Sequence, residues 1–172
     1  DYSNLQEVNL PNVKTLATSS FNNCGALTTV NLPKCEYVGN QSFYECRSLT
    51  TVTLPKCTFV GCDAFCNCDA LTTINLLCCE RLEARAFQYC DALTKVGLPN
   101  CSYIGEYALN TVYSDVGDRS IYIGTSLSTV CELSYGNESF LSNARIYVPA
   151  ALVDEYKQAP NWSNYADHIF GE

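Results

Sequence analysis

The chain has 172 residues, 47% of them apolar and 16% charged, enough for one substantial core. Eighteen acidic against ten basic side chains leave a net charge of -8, which excludes the basic footprint of a nucleic-acid binder and gives no attraction to an anionic membrane. No apolar run approaches the ~20 residues of a membrane span, so no membrane insertion is expected of this segment.

The first four residues, Asp1 to Asn4, carry no apolar signal segment. From Leu5 onward an internal repeat dominates. Leu5, Leu27, Leu49, Leu71 and Leu93 are spaced by 22 residues, and further columns keep the same step: Val8, Val30, Val52, Ile74, Val96; Leu10, Leu32, Leu54, Leu76, Leu98; Leu16, Val38, Val60, Leu82, Ile104; Phe21, Phe43, Phe65, Phe87, Leu109. The unit reads L-x-x-V-x-L-P-x-C-x-x-V-G-x-x-[SA]-F-x-x-C-x-x, and five copies run to about residue 114. Inside each copy the Val and the second Leu alternate with polar residues, as in Thr29-Val30-Asn31-Leu32, which predicts a half-buried strand. Proline ends it at Pro11, Pro33, Pro55 and Pro99, where a missing N–H is harmless. Gly39, Gly61 and Gly105 mark a turn, although Ala17 and Glu83 in that column argue against a strict need for positive φ. Asn40 to Cys46 and its equivalents fit one helical or 3-10 turn. Each copy is one coil of a superhelix that buries its apolar side only by stacking on its neighbours. Val8, Val30, Val52, Ile74 and Val96 are expected in one parallel sheet.

L-T-T-V-N-L-P followed by V-G-x-x-[SA]-F-x-x-C resembles the BspA-like leucine-rich repeat, found in surface and secreted proteins of host-associated bacteria and some parasitic protists. Ala144 to Pro149 and the stretch through Trp162 to Ile169 resemble the segment that follows such repeats. The resemblance implies a right-handed leucine-rich-repeat solenoid, an α/β superhelix with a parallel sheet on one face and short turns on the other. It also implies an extracellular or cell-surface location, and binding to an extracellular protein or glycan. The family motif has no catalytic residues to carry over. On this reading residues 1–114 form the solenoid, with its N-terminal end truncated, and 115–172 form an irregular repeat and cap packed with it as one domain.

After Leu109 the 22-residue register is lost, and Asn110 to Arg119 reads as a polar loop. Ser120–Gly124 and Ala144–Val148 are β-type runs able to extend the sheet. Pro149 suits a helix start, and Leu152, Tyr156 and Ala159 recur at helical spacing. Together with Trp162, Tyr165 and Ile169 they are expected to cap the last coil; the alternative for Trp162 is an aromatic ligand pocket.

Eight of twelve cysteines fall in two repeat columns: Cys24, Cys46, Cys68, Cys90 and Cys35, Cys57, Cys79, Cys101. The second column departs from the usual repeat, which is polar there. Stacked rungs near 4.8 Å with parallel Cα–Cβ vectors do not suit disulfides, which want ~3.8 Å between Cβ atoms, so reduced core thiols are expected. Cys62, Cys66, Cys78 and Cys131 lie off the columns, the first three by alignment at the surface. A Cys62–Cys66 disulfide or free thiols is the reading there; a zinc site of Cys62, Cys66 and Cys68 lacks the usual second pair of ligands. His168 is the only histidine and has no motif around it, no phosphate loop or G-x-S-x-G is present, and Asp69 and Asp91 begin equivalent turns. No catalytic residue, metal or cofactor is assigned. Asn40, Asn100, Asn137 and Asn161 stand in N-x-[ST] sequences, which matter only in a eukaryotic source.

If Val30 and Leu32 point inward, Thr29 and Asn31 point outward. The tentative binding residues are therefore Thr29, Asn31, Thr51, Thr53, Thr73 and Asn75, a lattice of hydroxyl and amide groups flanked by Glu7, Asn9, Lys95 and Gly97 and lacking large anchors. The Tyr37, Phe59 and Tyr103 column and the terminal segment are the next candidates. The function expected is non-catalytic recognition or adhesion; the alternative is a structural spacer or fibre element with no dedicated ligand.

Overall fold

A computed structural model of the protein describes residues 4–111, 118–124 and 126–172. Each repeat contributes two short strands: β1 (Glu7–Asn9) and β2 (Thr15–Leu16), β3 (Thr29–Asn31) and β4 (Tyr37–Val38), β5 (Thr51–Thr53) and β6 (Phe59–Val60), β7 (Thr73–Asn75) and β8 (Arg81–Leu82), β9 (Lys95–Leu98) and β10 (Tyr103–Ile104). Downstream come β11 (Arg119–Ile123), β12 (Glu132–Leu133), helix α1 (Glu138–Leu141), β13 (Ala144–Val148), helix α2 (Val153–Gln158) and β14 (Ile169–Gly171). All pairings are parallel and join residues one coil apart, such as Val8 with Val30 and Val38 with Val60. The chain is thus a solenoid. Its interior is one apolar cluster running from Val8 to Ile169.

The main face differs from the single sheet expected. β1, β3 and β5 form one sheet, and β7, β9, β11, β13 and β14 another, with no ladder joining β5 to β7. Val8, Val30 and Val52 are therefore in one sheet and Ile74 and Val96 in the other. Strands of three residues share few bonds, so a small fanning of the coils suffices to separate them; Val52 at the gap is half-buried where Val30 is wholly buried. The coils stay together because the second face is unbroken. There β2, β4, β6, β8, β10 and β12 make one six-stranded ladder that the repeat pattern did not reveal.

The third side is not the helical or 3-10 turn expected of Asn40–Cys46. It is a turn with two residues of left-handed φ, recurring with the repeat: Ser19, Gln41, Asp63, Arg85, Tyr107 in one column and Asn23, Glu45, Asn67, Tyr89 in the other. The φ reversals let alternate N–H groups point along and within the coil. Gln41, Phe43 and Glu45 donate to Cys62, Ala64 and Cys66 of the next coil, while Ser42, Tyr44 and Cys46 donate three residues back. Each backbone donor from Gln41 to Cys46 is thereby satisfied. Gly39 serves close approach, since a Cβ there would lie 2.6 Å from the Leu16 carbonyl oxygen of the preceding coil.

The solenoid continues past the sequence-regular repeats. β11 and β13 extend the main face as the two β-type runs predict, and β14 adds a last strand. Leu152, Tyr156, Trp162, Tyr165 and Ile169 are buried at this end. The Trp162 indole is a cap element: it packs edge-on to Tyr156 at 5.4 Å and donates to the Cys131 carbonyl at 2.7 Å. The predicted polar loop after Asn110 falls mostly on residues 112–117, outside the described residues.

Candidate functional site

The alternation of each main-face strand decides which residues meet solvent. Val8, Val30, Ile74 and Val96 point in, and their neighbours form two outward columns fixed by the register. Thr51, Thr53, Thr73 and Asn75 are exposed, and Thr29 and Asn31 half-exposed. Asn31 donates its amide to the Asn9 side chain at 3.2 Å. The gap between β5 and β7 divides the six predicted residues into two patches: Thr29, Asn31, Thr51 and Thr53 on one side, Thr73 and Asn75 on the other.

The second patch has what the sequence reading said the face lacks. Register carries one column from Lys95 to Ser120 and Arg145, and the other from Asn75 through Gly97 to Tyr122, Tyr147 and Phe170. Tyr122 and Tyr147 stack at 4.7 Å, and Phe170 tilts against Tyr147 at 6.1 Å. Tyr122 and Phe170 are among the exposed large apolar side chains. The face therefore ends in aromatic anchors beside two cationic side chains. The alternation was legible in Ser120-Ile121-Tyr122-Ile123 and Arg145-Ile146-Tyr147-Val148; what hid the column was the loss of the 22-residue step. A cleft of ≈ 280 Å³ lies on this patch, lined by Thr73, Asn75, Lys95, Gly97 and Tyr122 among others.

The fallback column is also built. On the second face Tyr37 stacks on Phe59 at 4.6 Å with rings 1° from parallel, Phe59 is in register with Arg81, and the Arg81 guanidinium lies 4.2 Å over the Tyr103 ring.

The thiols are core. Both columns are fully buried, and every cysteine is free. Each ladder repeats one bond: Cys46, Cys68 and Cys90 donate S–H to the carbonyls of Phe21, Phe43 and Phe65, whereas Cys35, Cys57, Cys79 and Cys101 donate two residues ahead. Burial pushes the Cys46 and Cys57 thiols up to about 12, far from a nucleophile's range. Two expectations for the remaining cysteines are corrected. Cys66 is buried, not at the surface, because its turn tucks it against the next coil; its thiol is likewise pushed up to about 12 by burial. Cys131 is buried at the end of the second ladder and donates its S–H to the Glu132 carbonyl at 3.6 Å. Cys78 is exposed and Cys62 partly so. Among the described residues no group of three or more His, Cys, Asp or Glu is placed to hold a metal ion.

Of the glycosylation-type asparagines, Asn137 is buried and engaged. Its Oδ1 accepts from the Leu109 N–H at 2.8 Å, and its Nδ2 donates to the carbonyls of Gly105 and Ser134. Asn40, Asn100 and Asn161 also spend their side chains on neighbouring backbone.

Residues 1–116 match a family model described as BspA type leucine rich repeat region, in six copies where the columns mark five. The fold is similar to the crystal structure of a T. pallidum leucine rich repeat protein, with a TM-score of 0.67 at 20% identity, covering 96% of this chain and 85% of that one. No match is found among curated proteins.

Proposed function

Because the chain belongs to the BspA-type leucine-rich-repeat family, whose members are generally non-catalytic and often surface-associated, we propose that it is an extracellular recognition module. It binds a protein or glycan through the outward side of its main face. The observation that carries this reading is that face itself. Its outward columns hold hydroxyl and amide groups over several coils and then pass in register into Tyr122, Tyr147 and Phe170. Thr and Asn supply directional hydrogen bonds, and exposed aromatics supply the anchors on which binding energy concentrates. The Cys46 and Cys57 thiols are buried and held protonated, and the one histidine, His168, has no nucleophile motif around it.

A screen of the protein against extracellular proteins and immobilised glycans tests the reading. For a partner so found, Thr51→Arg with Thr73→Arg is expected to abolish binding while leaving the unfolding midpoint unchanged, since both side chains are exposed. Full affinity in that double variant would move the site to the Tyr37, Phe59 and Tyr103 column.

A further inference from the structure

On the main face each coil places one side chain of the second outward column about 4.8 Å from the next. Asn75, Gly97, Tyr122, Tyr147 and Phe170 follow one another in register. The Tyr122 and Tyr147 rings stack with planes 13° apart, so their faces look along the solenoid axis and not outward. One face of Tyr122 is covered by Tyr147. The other looks towards Gly97, which has no side chain. The rung at Gly97 therefore has no side chain of its own; the Asn75 amide leans into it, and the ≈ 280 Å³ cleft lies there.

The walls of this slot are unlike. One is the π face of Tyr122. Thr73, Asn75, Lys95 and Glu172, residues that bear hydroxyl, amide, ammonium and carboxylate groups, also line it. Asn75 reaches furthest in, its Oδ1 lying 2.4 Å from where a Cβ on Gly97 would stand.

We propose that this missing rung is a saccharide subsite, taking one pyranose ring edge-in between Tyr122 and Asn75 as the Asn75 amide rotates back from Gly97. The proposal rests on the recognition reading above and names one ligand class for one end of that face. A pyranose presents a face of C–H groups, positively polarised, to the negative face of an aromatic ring, and a rim of hydroxyls to everything else. That is the complement of this slot: stacking on Tyr122, with hydroxyls meeting Thr73, Asn75, Lys95 and Glu172, each of which can donate to or accept from an OH. A phenyl side chain of a protein partner would stack as well, but it would take the same polar groups out of water and give them no partner. The cleft sits at the small end of ligand sites and suits one sugar residue, with a longer glycan continuing across the exposed hydroxyls and amides of the neighbouring coils.

The test is NMR titration of the intact protein with methyl β-glucopyranoside, methyl β-galactopyranoside and di-N-acetylchitobiose at millimolar concentration, with phenylalanine amide as the aromatic probe. Amide shifts confined to residues 73–75, 95–97 and 120–122 are expected with at least one saccharide. Tyr122→Ala is expected to weaken that saccharide about tenfold through loss of the stacking face. Gly97→Phe is expected to fill the rung and abolish the shifts; the Asn75 amide, the far end of a rotatable side chain, swings aside to admit it. An unchanged thermal midpoint in Gly97→Phe shows that the fold survives. No shift with any saccharide, shifts elsewhere, saccharide binding retained in Gly97→Phe, or a stronger response to phenylalanine amide would each overturn the subsite. A macromolecular partner that still depends on Thr51 would leave the recognition face standing in that event, so the two readings fail separately.

Discussion

At the scale of single residues, the repeat places the same atom in the same environment many times, and two columns carry most of the consequence. Phe21, Phe43, Phe65 and Phe87 stack ring on ring at 5.0–5.5 Å, and the last three are wholly buried. Phe65 has an aromatic neighbour on each side, so Phe65→Ala empties a ring-sized space that neither neighbour can close. Its expected cost is ~3–5 kcal/mol by chemical denaturation, and a loss under about 1 kcal/mol would show that the column collapses around the hole. The thiols divide by exposure. Alkylation of the native protein followed by mass spectrometry should label Cys78 first and Cys62 second, with the ten buried cysteines protected until the chain opens. Rapid labelling of Cys46 or Cys66 in the folded state would contradict their burial.

At the scale of elements, the decisive device is at the end of the regular repeats. In the upstream coils the N–H of the Phe column donates to a backbone carbonyl of the next coil, as Phe87 does to Ala108. Leu109 has no such carbonyl ahead of it, and the Asn137 side chain supplies the oxygen instead. Asn137→Ala should therefore leave the Leu109 N–H and the Gly105 carbonyl buried without these partners and cost about 2–4 kcal/mol in a urea titration. Asn137→Asp should cost at least as much, because an oxygen replaces the amide donor and faces the Gly105 and Ser134 carbonyls in a buried site. The runs that form β11 and β13 were legible in the sequence, but neither this role nor the register of the pairing beyond β10 was, and the reason is geometric. Main-face partners step 22 residues from Ile74 to Val96, but the next steps are 25, 25 and 23, read from Val96, Ile121, Ile146 and Ile169. A fixed-period search ends where the spatial repeat does not. The core columns of the five regular coils were legible because identical steps reinforce one another. The left-handed turn residues were not, since Gln, Asp, Arg and Glu at those positions carry no sign of a φ that stacking imposes. The lattice of Thr and Asn was likewise readable from alternation, whereas its aromatic continuation and the gap after β5 depend on how coils of unequal length sit on each other.

At the scale of the whole molecule, the buried thiols couple stability to pH. An unfolded thiol ionises near 8.5, while burial holds Cys46 and Cys57 protonated in the fold up to about 12. Below about 8.5 both states keep the proton and the contribution is complete; above it the unfolded state alone loses the proton, so stability falls as pH rises, by up to about 1.4 kcal/mol per unit for each such thiol. Urea titrations across that alkaline range should show Cys57→Ala with a shallower decline than the parent. Equal slopes would mean that Cys57 ionises in the fold.

The parallel ladders described above also set how the molecule answers a pull. The bonds between coils, such as Phe43 to Ala64 and Phe65 to Ala86, join each coil to the next along the axis, and none of the twelve cysteines adds a covalent staple. Tension applied end to end is then parallel to those bonds and meets the coils in series, so it peels the outermost one before loading its neighbour. Each regular coil that lets go converts about 5 Å of stacked height into roughly 75 Å of slack chain. Under load the solenoid is expected to act as a reel and not a rod, with single-molecule pulling showing repeated releases of similar length, one per coil.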